Sequence, residues 1–127
     1  MAATLNNLGV LHRMHGRYSR AEPLLLRALA IKERFHGQDH PDVALTAHNL
    51  GLLYAAQGRC EKAEPLYRRA LTIRERALGE THRDVEKSLD ELAGLLHKMQ
   101  REDEARSIDT RLATLKAAAV EVRFVSV

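Results

Sequence analysis

Seven histidines and one cysteine are the side chains of this chain best suited to bind a metal ion or to act in catalysis. The histidines are His12, His15, His36, His40, His48, His82 and His97. None of them belongs to a His-Glu-x-x-His motif, and the single Cys60 offers no thiolate pair at zinc spacing. The sequence also lacks a glycine-rich phosphate loop, a Gly-x-Ser-x-Gly elbow and a paired-carboxylate motif. We therefore predict no metal site, no cofactor and no enzymatic activity.

Two of the histidines, His40 and His82, occupy the same place in successive copies of an internal repeat. This equivalence favours a structural role in the repeat over metal binding. Cys60 stands where the first copy has Tyr18, which favours ordinary packing over a nucleophile.

The net charge of +3 is mild, and the basic residues are distributed along the chain. One segment is richer in them: Arg59, Lys62, Arg68, Arg69, Arg74 and Arg76. Glutamates are interleaved with these side chains and no aromatic platform accompanies them, so we expect no nucleic-acid binding. No apolar run approaches the ~20 residues that span a bilayer, so we expect no membrane contact. A lone cysteine fits a reducing compartment, and we expect a cytoplasmic protein.

A repeat of 42 residues organises these side chains. Residues 2–43 and 44–85 share 22 identities in 42 positions without a gap. A third, eroded copy keeps seven identities between residues 86–119 and residues 44–77. Self-similarity at this period is typical of a stacked array, in which each unit buries its apolar face against its neighbours.

Each unit carries two amphipathic stretches separated by a turn. We predict helices at 2–15, 18–35, 41–57, 60–77, 83–99 and 102–119. Gly9 and Gly51, with Ala21 and Ala63 opposite them, should let the two helices of a hairpin approach closely. We divide the chain into an array of repeats at about 1–40, 41–82 and 83–119 and a tail at 120–127. The tail alternates like a strand but has no obvious pairing strand in an all-helical array, so we expect it to be either loose or docked on another surface.

The repeat resembles tetratricopeptide repeats in the 42-residue form typified by kinesin light chains. The resemblance covers residues 1–119. It is carried by Leu5-Asn6-Asn7-Leu8, by His40-Pro41-Asp42-Val43 and by the stretch AEPLYRRALTIRE from Ala63 to Glu75. It implies an all-α, right-handed α-solenoid of three antiparallel helical hairpins that acts as a non-catalytic protein-interaction scaffold.

In proteins of this kind the first helix of every unit lines a concave groove that receives a peptide or a partner helix. The resemblance places these groove positions at Asn6, Asn7, Val10, Arg13, His48, Asn49, Leu52, Lys87 and Glu91. An asparagine side chain both donates and accepts, so Asn7 and Asn49 could hold a peptide backbone. The alternative is that each asparagine bridges neighbouring helices.

Self-association is a second hypothesis for the function. The array starts inside a first helix, so the apolar side of that helix, with Leu5 and Leu8, should be uncovered. A second copy of the chain could cover this N-terminal face in a homo-oligomer.

Overall fold

Six α-helices account for nearly all of the protein in this computed structural model, which describes the backbone of residues 1–125 and the side chains of residues 1–120. They are α1 (Ala2–Met14), α2 (Tyr18–His36), α3 (Pro41–Ala56), α4 (Cys60–Leu78), α5 (Arg83–Lys98) and α6 (Glu102–Val125). No strand occurs within the described residues. Judged by length and hydropathy, none of the described helices could span a bilayer.

The first five helices begin and end within one residue of their predicted bounds, whereas α6 continues to Val125. The tail that we separated at residues 120–127, and expected to be either loose or docked, is helical over residues 120–125, where it continues α6. Three consecutive alanines, Ala117 to Ala119, precede this segment, and alanine is the strongest helix former. Residues 126–127 lie outside the described part of the chain.

Each odd-numbered helix packs most extensively on the helix that follows it, so that α1–α2, α3–α4 and α5–α6 form antiparallel hairpins. Smaller contacts of α2 with α3 and of α4 with α5 join successive hairpins, and α1 also touches α3. The result is an all-α, right-handed solenoid, as predicted.

Close approach within a hairpin depends on glycine. A Cβ atom added to Gly51 would lie 2.7 Å from two ring carbons of Tyr67 on α4. A Cβ atom added to Gly9 would lie 2.7 Å from Cγ of Leu25 on α2. The predicted role of these two glycines in helix approach is confirmed, and the small residues Ala21 and Ala63 opposite them are fully buried.

The start of each following hairpin is capped by a histidine. Nδ1 of His40 accepts a hydrogen bond from the backbone N–H of Asp42 at 3.0 Å, and Nδ1 of His82 accepts one from Asp84 at the same distance. Each ring thereby satisfies one of the backbone donors that a helix N-terminus leaves free. This confirms the structural role predicted for the two equivalent histidines.

Candidate binding groove

The nine predicted groove residues lie on the first helices of the hairpins, α1, α3 and α5, but at different depths. Asn7 and Lys87 are exposed, Val10, Arg13, Leu52 and Glu91 are half-buried, and Asn6, His48 and Asn49 are buried. Equivalent repeat positions differ in depth, because Asn7, Asn49 and Glu91 stand 42 residues apart and are exposed, buried and half-buried, respectively. Only part of the predicted set is therefore open to a partner in this conformation.

A buried polar bridge joins the first two of these helices. Oδ1 of Asn6 on α1 accepts hydrogen bonds from Nδ2 of Asn49 at 3.1 Å and from Oγ1 of Thr46 at 3.3 Å, both on α3. Asn6 is 4% exposed and Asn49 9%. These two asparagines connect helices inside the stack, which is the structural alternative that the sequence left open.

His48 occupies on α3 the position that Asn6 has on α1, yet neither of its ring nitrogens has a hydrogen-bond partner among the described residues. Its side chain is 1% exposed and lies beside the ring of Tyr67, with 5.6 Å between the ring centroids. Burial, which is the larger cause, and the positive charge of Arg74 together lower the pKa of His48 to about 4. His48 is therefore neutral at physiological pH and contributes packing to the groove wall.

Exposed Asn7 lines a cleft of about 540 Å³ where α1, the end of α2 and the start of α3 meet. Its lining includes Met1, Ala2, Ala3, Asn6, Asn7, Ile31, Lys32, Phe35, His36, Asp42 and Leu45. Phe35 is 81% exposed and Leu45 41%, so two large apolar side chains face solvent beside the amide of Asn7. No pattern in the sequence points to Phe35, because this residue lies on the second helix α2 and only the folded chain brings it next to α1.

A smaller hollow of about 190 Å³ lies farther along the same face, between α3 and α5. Tyr67 forms part of it, with Glu91 and Lys98 on α5. Burial raises the pKa of the Tyr67 hydroxyl, and the negative charge of Glu91 raises it further. Because this hollow contains both an acidic and a basic side chain, the groove is neither uniformly negative nor uniformly positive.

The basic residues of the second hairpin are largely paired. Arg68 contacts Glu64 at 2.9 Å, Arg69 contacts Glu33 at 3.3 Å and Arg59 contacts Glu22 at 3.5 Å. Arg74 is buried, and its guanidinium donates to Oγ of Ser88 at 2.8 Å. Four of the six basic side chains singled out above are thus engaged within the protein.

Comparison with known proteins places this arrangement in a family. The family profile described as tetratricopeptide repeat matches residues 1–76 and, in a second overlapping match, residues 45–117. No curated protein sequence matches the chain significantly.

Solved structures share the fold. BtubC (BKLC) from P. vanneervenii is 26% identical in sequence to this chain, and the two structures superpose with a TM-score of 0.87. The match covers 93% of this chain and 47% of the BtubC chain. Two crystal structures of kinesin light chain TPR-like repeats from Podosopora anserina are 23% identical, with TM-scores of 0.81 over 91% of this chain. The match covers 54% of one of these two chains and 55% of the other. This chain therefore spans about half of the structures that it matches.

Proposed function

Because this chain belongs to the tetratricopeptide repeat family, we propose that it is a non-catalytic interaction module whose groove binds an extended peptide or a partner helix. Repeats of this family generally mediate protein–protein interaction or scaffolding. For this chain we further propose the position of the binding site and the side chains that contact the partner. The lone Cys60 is the basis for keeping a cytoplasmic location in the proposal.

The cleft beside Asn7 is the observation that carries the proposal. It combines large exposed apolar side chains, Phe35 and Leu45, with one exposed amide, that of Asn7. Apolar walls with a few well-placed polar groups are characteristic of ligand sites. Exposed aromatic side chains supply large contact areas when a partner covers them.

The side chains around this cleft suggest how a peptide would be held. The amide of Asn7 can accept from one backbone N–H of a peptide and donate to a backbone carbonyl. An apolar side chain of the same peptide would then pack against Phe35 and Leu45. Farther along the face, Lys87 and Glu91 on α5 would favour a ligand of mixed charge over a strongly acidic or basic one.

A peptide-display selection tests this proposal. A random library is selected on the wild type, on Asn7→Ala and on Thr72→Ala, whose exposed side chain lies on the second helix α4. We expect a motif with an apolar anchor to be enriched on the wild type and on Thr72→Ala but not on Asn7→Ala. Enrichment of the same motif on all three proteins, or of none on the wild type, would contradict a groove centred on Asn7.

Self-association through the outer face of α1 is a second candidate, and it rests on a direct comparison between repeats. Leu8 is 41% exposed and Leu11 48%, whereas their equivalents Leu50 and Leu53 are 2% and 0% exposed. Among the described residues, α3 packs against α2 of the preceding hairpin, whereas no helix packs on the corresponding side of α1. A second copy could cover the uncovered leucines through a two-fold contact.

Sedimentation velocity distinguishes this candidate from a monomeric module. If α1 is a self-association face, the wild type shows a sedimentation coefficient that rises with concentration, and Leu11→Lys remains monomeric. Leu26→Lys is the matched control, because Leu26 is 44% exposed but lies on α2. A wild type that is monomeric at high concentration, or equal effects of the two substitutions, would remove this candidate.

A further inference from the structure

We propose that His36, His40 and Asp42 form a binding site for a divalent transition-metal ion of the zinc class. The three residues flank the loop between α2 and α3 and offer one ligand atom each, all within 4.8 Å of one another. This proposal concerns a different ligand from the peptide groove and does not depend on it. It also revises the expectation, drawn from motifs alone, that the histidines hold no metal.

The distances are close to those that a metal requires. Nε2 of His36 lies 3.4 Å from Oδ2 of Asp42, and Nδ1 of His40 lies 3.9 Å from the same oxygen. Ligand atoms of a tetrahedral zinc ion, each about 2.0–2.2 Å from the metal, are about 3.3 Å apart. The three atoms would have to move by up to about 1.5 Å, and one imidazole ring would have to reorient, to bind one ion.

The two imidazole rings are already held together. Their centroids lie 3.9 Å apart and their planes differ by 16°, so the rings are stacked. Because a metal ion lies in the plane of each imidazole that binds it, one ring must turn out of this stack before both nitrogens can bind the same ion. Two imidazole nitrogens and one carboxylate oxygen, with a water in the fourth position, are a ligand set that zinc accepts.

Metal binding would compete with the helix cap. Nδ1 of His40 uses its lone pair to accept the backbone N–H of Asp42 at 3.0 Å, and a metal ion would take that lone pair. Losing this cap takes away part of the binding free energy, so we expect a weaker site than a buried structural zinc centre. His36 and Asp42 also line the cleft that contains Asn7, which places the ion at the rim of that cleft.

The second repeat provides a matched control. Nδ1 of His82 accepts from the N–H of Asp84 and lies 3.8 Å from its carboxylate, which reproduces the His40–Asp42 pair. Leu78 stands at the position of His36, so this copy has two of the three ligands. Replacing Leu78 with histidine should supply the third.

Calorimetric titration with Zn²⁺ and visible absorption with Co²⁺ test the proposal on the full chain, with any oligohistidine tag removed. We expect one site in the wild type and in His82→Ala, and two sites in Leu78→His. His36→Ala should weaken binding by at least about 10-fold, since even the loss of an outer-shell partner weakens metal sites by about 10–100-fold. Circular dichroism checks that each variant remains helical.

Three results would overturn the metal site. The first is no saturable binding by the wild type, and the second is equal binding by the wild type and His36→Ala. The third is loss of binding in His97→Ala instead, which would place the ion near Glu102 and Asp109. Retained helicity in His36→Ala is expected in every case, because the His36 side chain is 38% exposed.

Discussion

The side chain of Asn49 donates a hydrogen bond to that of Asn6 at 3.1 Å and so ties α3 to α1 inside the solenoid. Asn7 is adjacent to Asn6 in sequence and equivalent to Asn49 in the repeat, yet it is exposed. The difference has a structural cause. Asn49 has the first helix of the preceding hairpin beside it, whereas no described helix lies beside Asn7 in the same way.

This bridge predicts different effects for the two asparagines. Asn49→Ala should lower the free energy of unfolding by about 1–3 kcal/mol, because Oδ1 of buried Asn6 then keeps only its bond from Thr46. Asn7→Ala should change it by less than about 0.5 kcal/mol, because its side chain is exposed. Urea unfolding of the two variants measures both values, and equal small changes would show that the bridge contributes nothing to stability.

The glycines of the first helices provide a second matched pair. Gly51→Ala should destabilise the protein by about 1–3 kcal/mol, because the new Cβ would meet the Tyr67 ring at 2.7 Å. Gly94→Ala should stabilise it by about 0.5–1 kcal/mol, since nothing lies within 4 Å of the new Cβ and alanine favours the helix. Thermal or urea unfolding decides the sign, and a stabilising Gly51→Ala would contradict the tight hairpin contact.

Buried His48 should make stability fall in acid. Its pKa is about 4 in the folded protein against 6.5 in the unfolded chain, so above pH 6.5 both states carry a neutral ring. Between pH 6.5 and pH 4 only the unfolded state gains the proton, and stability decreases as the pH falls. The loss levels off at about 3 kcal/mol below pH 4.

His48→Leu should remove this acid dependence, while His15→Leu, at an exposed position, should leave it unchanged. Urea unfolding of the three proteins between pH 4 and pH 7 measures the difference in slope. The same slope in the wild type and His48→Leu would mean that other groups cause the acid sensitivity.

His97 predicts a dependence of the opposite sign. Its Nε2 lies 2.8 Å from Oδ2 of Asp109 and its Nδ1 lies 2.8 Å from Oε2 of Glu102, and these hydrogen bonds raise the pKa of His97. A raised folded pKa gives stability that is fully present below pH 6.5 and is lost as the pH rises through the folded value.

The exposed position of His97 makes its effect on stability small, so the titration itself is the better measurement. Proton NMR of the imidazole should give a pKa above that of His97 in an Asp109→Asn variant. An unchanged value in that variant would show that the pair does not form in solution.

The repeat made most of the fold predictable from sequence, because identical spacing in two copies determines both the helices and the glycines at which they meet. The end of α6 was not predictable from the alternation of residues 120–127. Helix propensity at Ala117 to Ala119 outweighs that alternation where no second strand is present.

The candidate site was less predictable, since the repeat identifies equivalent positions but not their surroundings. Asn7 and Asn49 are the same residue at the same repeat position, and only the neighbouring hairpin determines which one is buried. Phe35 joins the cleft from a second helix, and no periodicity in the sequence indicates that contact.

Amide NMR of the labelled protein can show whether partners bind on the face formed by α1, α3 and α5. Titration with a peptide enriched by display should shift the signals of Asn7, Leu45, Leu52 and Lys87, and Asn7→Ala should weaken these shifts. Shifts confined to the second helices α2, α4 and α6, or to Leu8 and Leu11, would contradict binding on the face of α1, α3 and α5.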